Sequence, residues 1–380
     1  MKFSDKLNAC VHPLFVRYVL RAYRRKSERV EREHPELFRA VSPELVEKHK
    51  GLWGRLGLPC SDRWLRFHVN LTGIEDYRFC PEDLFFAHIE RILVPSEMAG
   101  QGIEDKNSLD AFFGRGLFPE TVIRYMRGCF FDADYRWLSE DAVNRVLRSD
   151  QGELVVKPCI ASSGGVGIEA IRFENDCYLL GGLPLDAARI RQIGGISFAV
   201  QRRLISDTFS AQFNPSSANT CRMMTLRCPW DGEIVVLKTM MRIGVSEAIV
   251  DNMMKGGLCV NLDACGRFGR YGYDYNGARF ESHPVSGIRF EGLKHPAYDQ
   301  MVKVATQMAQ RVPYFNLLSF DLLPDANGQV KIVEINATSQ GITQLQYDHG
   351  GLFGEYSEAV VDWCVSHREL DTFKHFRTFY

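Results

Sequence analysis

Two carboxylates and an amide lie close together in the run FDLLPDANGQVKIVEINA, Phe320 to Ala337. Within it, Asn327-Gly328 separates two apolar runs and reads as a two-residue hairpin turn. With those two residues as the turn, Ala326 faces Gln329, and Asp321 faces Glu334 directly across the ladder. Asn336 follows two residues after Glu334 and shares its face. Phe320, Leu322, Val333 and Ile335 then point the other way, into the core. Like charges directly opposed across two strands destabilise a sheet, so something must compensate them. Three hard oxygen donors from two strands suit Mg²⁺, with a substrate phosphate and water completing the shell. The competing reading is a hairpin that turns its acidic side chains to solvent.

A second set of groups comes earlier. Glu153–Pro158 (ELVVKP) reads as a strand that carries Lys157, and CIASSGGVGIEAI follows. Ser162, Ser163, Gly164, Gly165 and Gly167 offer several backbone N–H groups in a loop that can wrap phosphate oxygens. The GxxxxGK[ST] spacing is absent and the lysine precedes the glycines, so this is not a Walker A loop. It leads into a second strand and reads as a β-hairpin flap. Taken without its lysine, such a loop is a surface hairpin.

These groups need strands to hold them. From Gln151 onward, β-rich runs alternate with glycine-rich turns: Glu153–Pro158, Ile168–Phe173, Ile196–Leu204, Arg222–Cys228, Glu233–Arg242 and Leu258–Leu262. A helix over Pro296–Arg311, strands at Leu317–Leu323 and Gln329–Asn336, and a helix near Tyr356–His367 follow. Upstream, residues 51–150 mix aromatic-rich segments with helices. Ser42-Pro43-Glu44 and Ser139-Glu140-Asp141 mark helix starts, each with a capping serine and an early acid. Strands intermixed with helices indicate an α/β or α+β protein.

The chain has 380 residues, which predicts two or three domains. Its 45% hydrophobic and 24% charged residues are ordinary for a globular protein and exclude a disordered or collagen-like chain. A formal charge of −1 argues against a general nucleic-acid coat. No apolar run reaches the roughly 20 residues a bilayer span takes, and MKFSDKLNAC lacks an apolar signal core. The 11 cysteines contain no CxxC pair and read as free thiols, which places the chain in the cytoplasm. Met1 to Glu33 holds nine Lys/Arg and four Asp/Glu. That charge of +5 reads as a solvated helix face. The alternative is weak docking to an anionic membrane or a polyanionic substrate.

Lys106, Lys157, the glycine loop and the Asp321…Glu334-x-Asn336 triad together resemble the ATP-grasp superfamily. The segments KHKGLWGRLG, PEDLFFAHIERIL, DKNSLDAFF, VVKPCIASSGGVGI, NTCRMMTL, DNMMKGGLCVNLD and FDLL…VEINATSQGI resemble, in order and spacing, the sugar-transfer-associated ATP-grasp family of polysaccharide-biosynthesis proteins. The resemblance implies an α+β ATP-grasp fold, in which two α+β lobes clasp ATP behind a mainly helical N-terminal region. The boundaries expected are 1–100 for that region, 101–204 for the first lobe with its flap, and 205–380 for the second. It also implies site roles. Lys106 contacts the phosphates, and Lys157 contacts the α-phosphate and the adenine side. Ser162, Ser163, Gly164 and Gly165 close over the β- and γ-phosphates. The backbone of Arg202, Arg203 and Leu204 reads adenine, Gln201 takes the hinge-acid position, and Asp207 binds ribose. Arg222 contacts phosphate and Lys238 adds a second positive charge. Asn252, with Gly256 and Gly257, lines the site. Asp321, Glu334 and Asn336 hold two Mg²⁺ ions. Family ligases commonly follow their E-x-N with Pro-Gly, whereas this chain has Ala337-Thr338-Ser339-Gln340-Gly341.

The chemistry so implied is carboxylate activation through an acyl phosphate, followed by attack of an amine. Such a reaction needs charge neutralisation and alignment more than a protein nucleophile. The expected substrates are small-molecule or sugar-linked carboxylates and amines, such as a uronic acid of surface polysaccharide, with no nucleic acid partner. The alternatives are an ATP-grasp kinase and a non-catalytic nucleotide-binding protein. His283 and His349 flank the site in sequence, as deprotonating bases or as hydrogen-bonded structural histidines. Gln344 and Tyr347 either line an acceptor pocket or pack. As lone strand residues, Arg222 and Lys238 would face solvent; the NTCRMMTL setting favours a functional Arg222.

Overall fold

A computed structural model describes residues 3–371 apart from 95–98, 151, 160–168, 175–176, 193–196, 246–250 and 252. Two antiparallel sheets organise it. The first contains β1 (Thr121–Met126), β2 (Cys129–Phe131), β3 (Trp137–Leu138), β4 (Leu154–Pro158), β5 (Glu169–Glu174), β6 (Cys177–Leu180), β7 (Leu183–Pro184) and β8 (Ser197–Arg202), in the order β3-β2-β1-β8-β4-β5-β6-β7. The second contains β9 (Cys221–Arg227), β10 (Ile234–Ile243), β11 (Leu258–Leu262), β12 (Phe268–Tyr273), β13 (Arg279–Phe280), β14 (Leu317–Pro324) and β15 (Val330–Asn336), in the order β13-β12-β11-β10-β9-β14-β15. Every run expected to be a strand is one, to within two residues at its ends. β4 and β5 pair antiparallel, as the flap reading requires; its loop, with Ser162, Ser163, Gly164 and Gly165, lies outside the described residues.

The second sheet is covered on one side by the helix Tyr298–Gln310. Tyr298, Met301, Ala305, Met308 and Ala309 recur at helical spacing and are all buried. β14 is buried at every position, as its near-continuous apolar text LLSFDLLP requires. Ser42 and Ser139 cap their helices as expected, accepting hydrogen bonds from the Leu45 and Ala142 N–H groups. Trp53, Leu56, Phe67, Leu84 and Phe85 from the N-terminal helices join Met223, Leu318 and Phe320 in one core. Gln346 fixes this junction, since its amide bonds both the N–H and the carbonyl of Cys80. The N-terminal region therefore braces the second sheet.

The β14–β15 hairpin corrects the expected turn. The Asp325 N–H donates to the Gln329 carbonyl, leaving three loop residues, Ala326 to Gly328, not two. Gly328 has φ +75°, the left-handed conformation that closes such a loop. Near the turn the pairs are Pro324↔Val330, Leu323↔Lys331 and Leu322↔Ile332, one residue off the predicted register. A β-bulge then restores it, and Asp321 faces Glu334. Val333 is the extra residue. It is only half-buried, and Ile332 takes the core position assigned to it. The turn itself is pinned beneath the segment that leaves the first sheet. There the Asp207 N–H donates to the Pro324 carbonyl, and the Ala326 N–H to the Ile205 carbonyl.

Candidate functional site

Directly opposed residues of adjacent strands share a sheet face. Asn261, Met240, Arg222, Asp321 and Glu334 form one such row across β11, β10, β9, β14 and β15. Asp321 is 1% exposed and holds Arg222 in a bidentate ion pair, with Nε and Nη2 at 2.8 and 2.9 Å. Arg242, two residues beyond Met240 on β10, adds a third contact at 2.8 Å. Burial alone would push the Asp321 carboxyl up; the Arg222 and Arg242 guanidinium groups reverse that and hold it well below the usual carboxylate range. The opposed like charges are thus compensated inside the protein.

Glu334 receives its cation from outside the sheet. Lys106 Nζ lies 2.6 Å from its carboxylate. The Lys106 N–H meanwhile donates to the Cys159 carbonyl, and Asn107 bonds Ser197 and the Phe198 carbonyl. The segment 105–107 is therefore bolted to the first sheet while its lysine reaches the second. Lys157, from β4, is buried near Lys106 and Glu334. Four cations, Arg222, Arg242, Lys106 and Lys157, meet three carboxylates, Asp321, Glu334 and Asp251. Asp105, beside Lys106, adds a fourth carboxylate within electrostatic reach.

Burial pulls the Lys157 ammonium down to about 8, and the Lys106 charge adds to this. Lys157 is protonated below that pH and loses its charge above it. Nucleotide affinity is expected to fall as pH rises above about 8, by up to about tenfold per unit. Lys157→Arg keeps the charge at all these pH values, so its affinity should show no such inflection in calorimetry.

The turn that replaces the Pro-Gly pattern has its own anchors. The Glu104 carboxylate accepts from the Ala337 and Thr338 N–H groups at 2.9 and 2.8 Å and from the Thr338 hydroxyl at 3.1 Å. Glu90 accepts from the Gln340 N–H at 3.0 Å, and its burial pushes the carboxyl up to about 8. Ser339 adopts φ +53° between these anchors. Two short helices, Glu90–Leu93 and Ala99–Glu104, thus set the shape of the backbone next to Asn336.

Mg²⁺ fits this donor set in part. Asn336 lies on the Glu334 face, and its buried amide nitrogen has no partner among the described residues. Because amide N and O assignments are interchangeable, the same position can present an oxygen. Glu334 has a side chain that is 24% exposed, so it remains accessible. Asp321 has both oxygens engaged by guanidinium groups. Glu334 and Asn336 are therefore the pair best placed to hold a cation, with Asp321 as the buried charge behind them.

Other expected residues stand elsewhere. Lys238 is three strands from Asn336 along the next row, about 14 Å at the usual strand spacing. It donates to the His349 carbonyl at 2.6 Å. The second positive charge beside the carboxylates is Arg242, which a lone basic strand residue did not betray. Its signal was parity, since Lys238, Met240 and Arg242 alternate onto one face. Lys238→Met is expected to leave nucleotide affinity within about threefold of wild type, whereas Arg242→Met should weaken it at least tenfold.

At the hinge, the Arg202 and Arg203 N–H groups donate to the Glu120 and Glu153 carbonyls, so neither is offered to a base. Leu204 lies beyond both bonds. The Gln201 amide donates to Thr121, and its oxygen is buried without a partner among the described residues. Asp207 caps a short helix through the Ser210 N–H. Asn252 lies outside the described residues, while Gly256 adopts φ +90°. His283 is held between Ser286 and the Gly244 carbonyl, the structural role. Tyr347 is buried against Tyr273 and packs. The Gln344 carbonyl accepts from Asn261.

Residues 131–359, more than half of the chain, match the family described as sugar-transfer associated ATP-grasp. No curated protein matches the chain. Solved structures similar to it include an ADP complex of N5-carboxyaminoimidazole ribonucleotide synthetase, at 12% identity and a TM-score of 0.40, covering 69% of this chain and 52% of that one. Biotin carboxylase of Campylobacter jejuni gives 11%, 0.41, 70% and 46%. The D-Ala:D-Ser ligase of Enterococcus faecalis gives 11%, 0.38, 72% and 62%. The chain spans about half the length of the first of these proteins. On the family match, and with two antiparallel sheets meeting around Lys106, Lys157, Asp321 and Glu334, the chain belongs to the sugar-transfer associated ATP-grasp family.

Proposed function

We propose that the chain is an ATP- and Mg²⁺-dependent ligase that joins a carboxylate to an amine. The observation that carries this reading is the convergence of Arg222, Arg242, Lys106 and Lys157 on the Asp321–Glu334 pair, in a chain of this family. A substrate carboxylate oxygen attacks the γ-phosphorus, the bond to ADP breaks, and an acyl phosphate forms. An amine then attacks the acyl carbon, inorganic phosphate leaves with the bonding pair, and the amine proton passes to solvent. Lys106 and Lys157 neutralise phosphate oxygens, and Arg222 and Arg242 fix Asp321 so that Glu334 and Asn336 face the phosphates. Glu334 and Asn336 would hold Mg²⁺, which would supply further charge neutralisation when bound. A sugar acid is the carboxylate class this reading takes, the family being described as sugar-transfer associated.

The test is ATP turnover with Mg²⁺ against pooled sugar acids and amino compounds, with ADP, AMP and phosphate quantified. ADP plus free phosphate only when acid and amine are both present is expected. ADP without free phosphate would replace the ligase by a kinase.

A further inference from the structure

Over residues 10–33, the first long helix, α1 (Phe3–Glu33), is docked along one side. Val16, Val19 and Ser27 are buried on that side, Lys26 turns inward to Glu82 at 2.7 Å, and Arg91 covers the Phe15 ring. The outward side carries Leu14, Arg17, Tyr18, Arg21, Ala22 and Arg25, which line one shallow groove. Their spacing of three and four residues is that of a single helix face. Arg17, Arg21 and Arg25 are exposed, and among the described residues none makes a hydrogen bond or an ion pair. At a rise of 1.5 Å per residue, they stand about 6 Å apart along the axis. Leu14 is 60% exposed and Tyr18 70%, on the same stripe.

We propose that this stripe docks the protein on the surface of an anionic phospholipid bilayer. Guanidinium groups bind phosphates in fork geometry, which favours arginine over lysine for such a surface. Leu14 and Tyr18 decide between a bilayer and a soluble polyanion. Against a polyanion both would stay exposed, whereas a bilayer takes the leucine into its acyl boundary and the tyrosine into its headgroup layer. Charge sets the orientation. The segment Met1–Glu33 carries +5 and the whole chain −1, leaving −6 on the remainder. An anionic surface therefore repels the rest of the molecule and attracts this face. The contact is peripheral, because no helix among the described residues is long and apolar enough to cross a membrane. It is independent of the nucleotide site.

The experiment is sedimentation of the full chain with vesicles of phosphatidylcholine, alone or mixed with phosphatidylserine. Binding to the mixed vesicles only is expected. At about 1 kcal/mol per basic residue near such a surface, Arg17→Gln/Arg21→Gln/Arg25→Gln should lower partitioning about a hundredfold. Leu14→Ser/Tyr18→Ser should lower it about tenfold or more, by removing interfacial burial. All five side chains are exposed, so melting curves of both variants should match wild type. Absence of binding, equal binding to neutral vesicles, or a triple variant that binds normally would each overturn the proposal. Capture by polyphosphate without vesicle binding would assign the stripe to a soluble polyanion and overturn it as well.

Discussion

Asp321→Ala should destabilise the fold by about 3–5 kcal/mol, the cost of leaving a buried charge without its partner. The size follows from the surroundings. Asp321 is almost wholly buried on β14, one strand in from the edge of the second sheet, and two guanidinium groups converge on its oxygens. Removing the carboxylate leaves Arg222 and Arg242 to Asp251, 3.9 Å from Arg242, and to Glu334 across the ladder, which Lys106 already engages. Asp321→Asn should recover part of the loss, because the amide fills the same volume and one oxygen still accepts. Urea unfolding followed by circular dichroism reads both. An Asp321→Ala protein as stable as wild type would show that the arginines are not held by this carboxylate.

Glu334→Gln should do the opposite, keeping the fold and sharply lowering turnover. Its side chain is partly exposed near the end of β15, and it pairs with Lys106. The amide still accepts from Lys106 and the opposition to Asp321 is relieved, so stability should fall by about 1–2 kcal/mol, less than for Asp321→Ala. The activity loss should be on the order of a hundredfold to a thousandfold, as for removal of one preorganised charge from a phosphate site. Melting temperature and ADP release, measured on the same preparation, separate the two effects. Loss of stability comparable to Asp321→Ala would instead make Glu334 a structural residue.

The contrast between these carboxylates was only half legible in the sequence. Strand parity placed them across from each other. It could not show that a three-residue turn and a bulge at Val333 each shift the register by one and cancel. Nor could it show that two arginines engage both oxygens of Asp321, because Arg242 comes from a strand two places away in the sheet. β1 and β2 were missed for a local reason. Their connection is Arg127-Gly128, with φ +49° and +91°, a conformation that Asn-Gly announces and Arg-Gly does not. Glu90 and Glu104 were invisible as site residues, since contacts across more than two hundred residues leave no periodic trace. The strand runs, the helix caps and Lys157 were legible because each rests on a short-range pattern, whereas Lys106 entered through the family resemblance.

The central claim is that the face bearing Glu334 and Asn336, ringed by Arg222, Arg242, Lys106 and Lys157, binds the phosphates of ATP with Mg²⁺. Calorimetric titration of ATP into the protein, with and without Mg²⁺ and repeated on Glu334→Gln, tests it most directly. The account predicts tight binding with Mg²⁺ to wild type, at least tenfold weaker binding without it, and little Mg²⁺ dependence in the variant. ATP binding that is indifferent both to Mg²⁺ and to Glu334→Gln would contradict it.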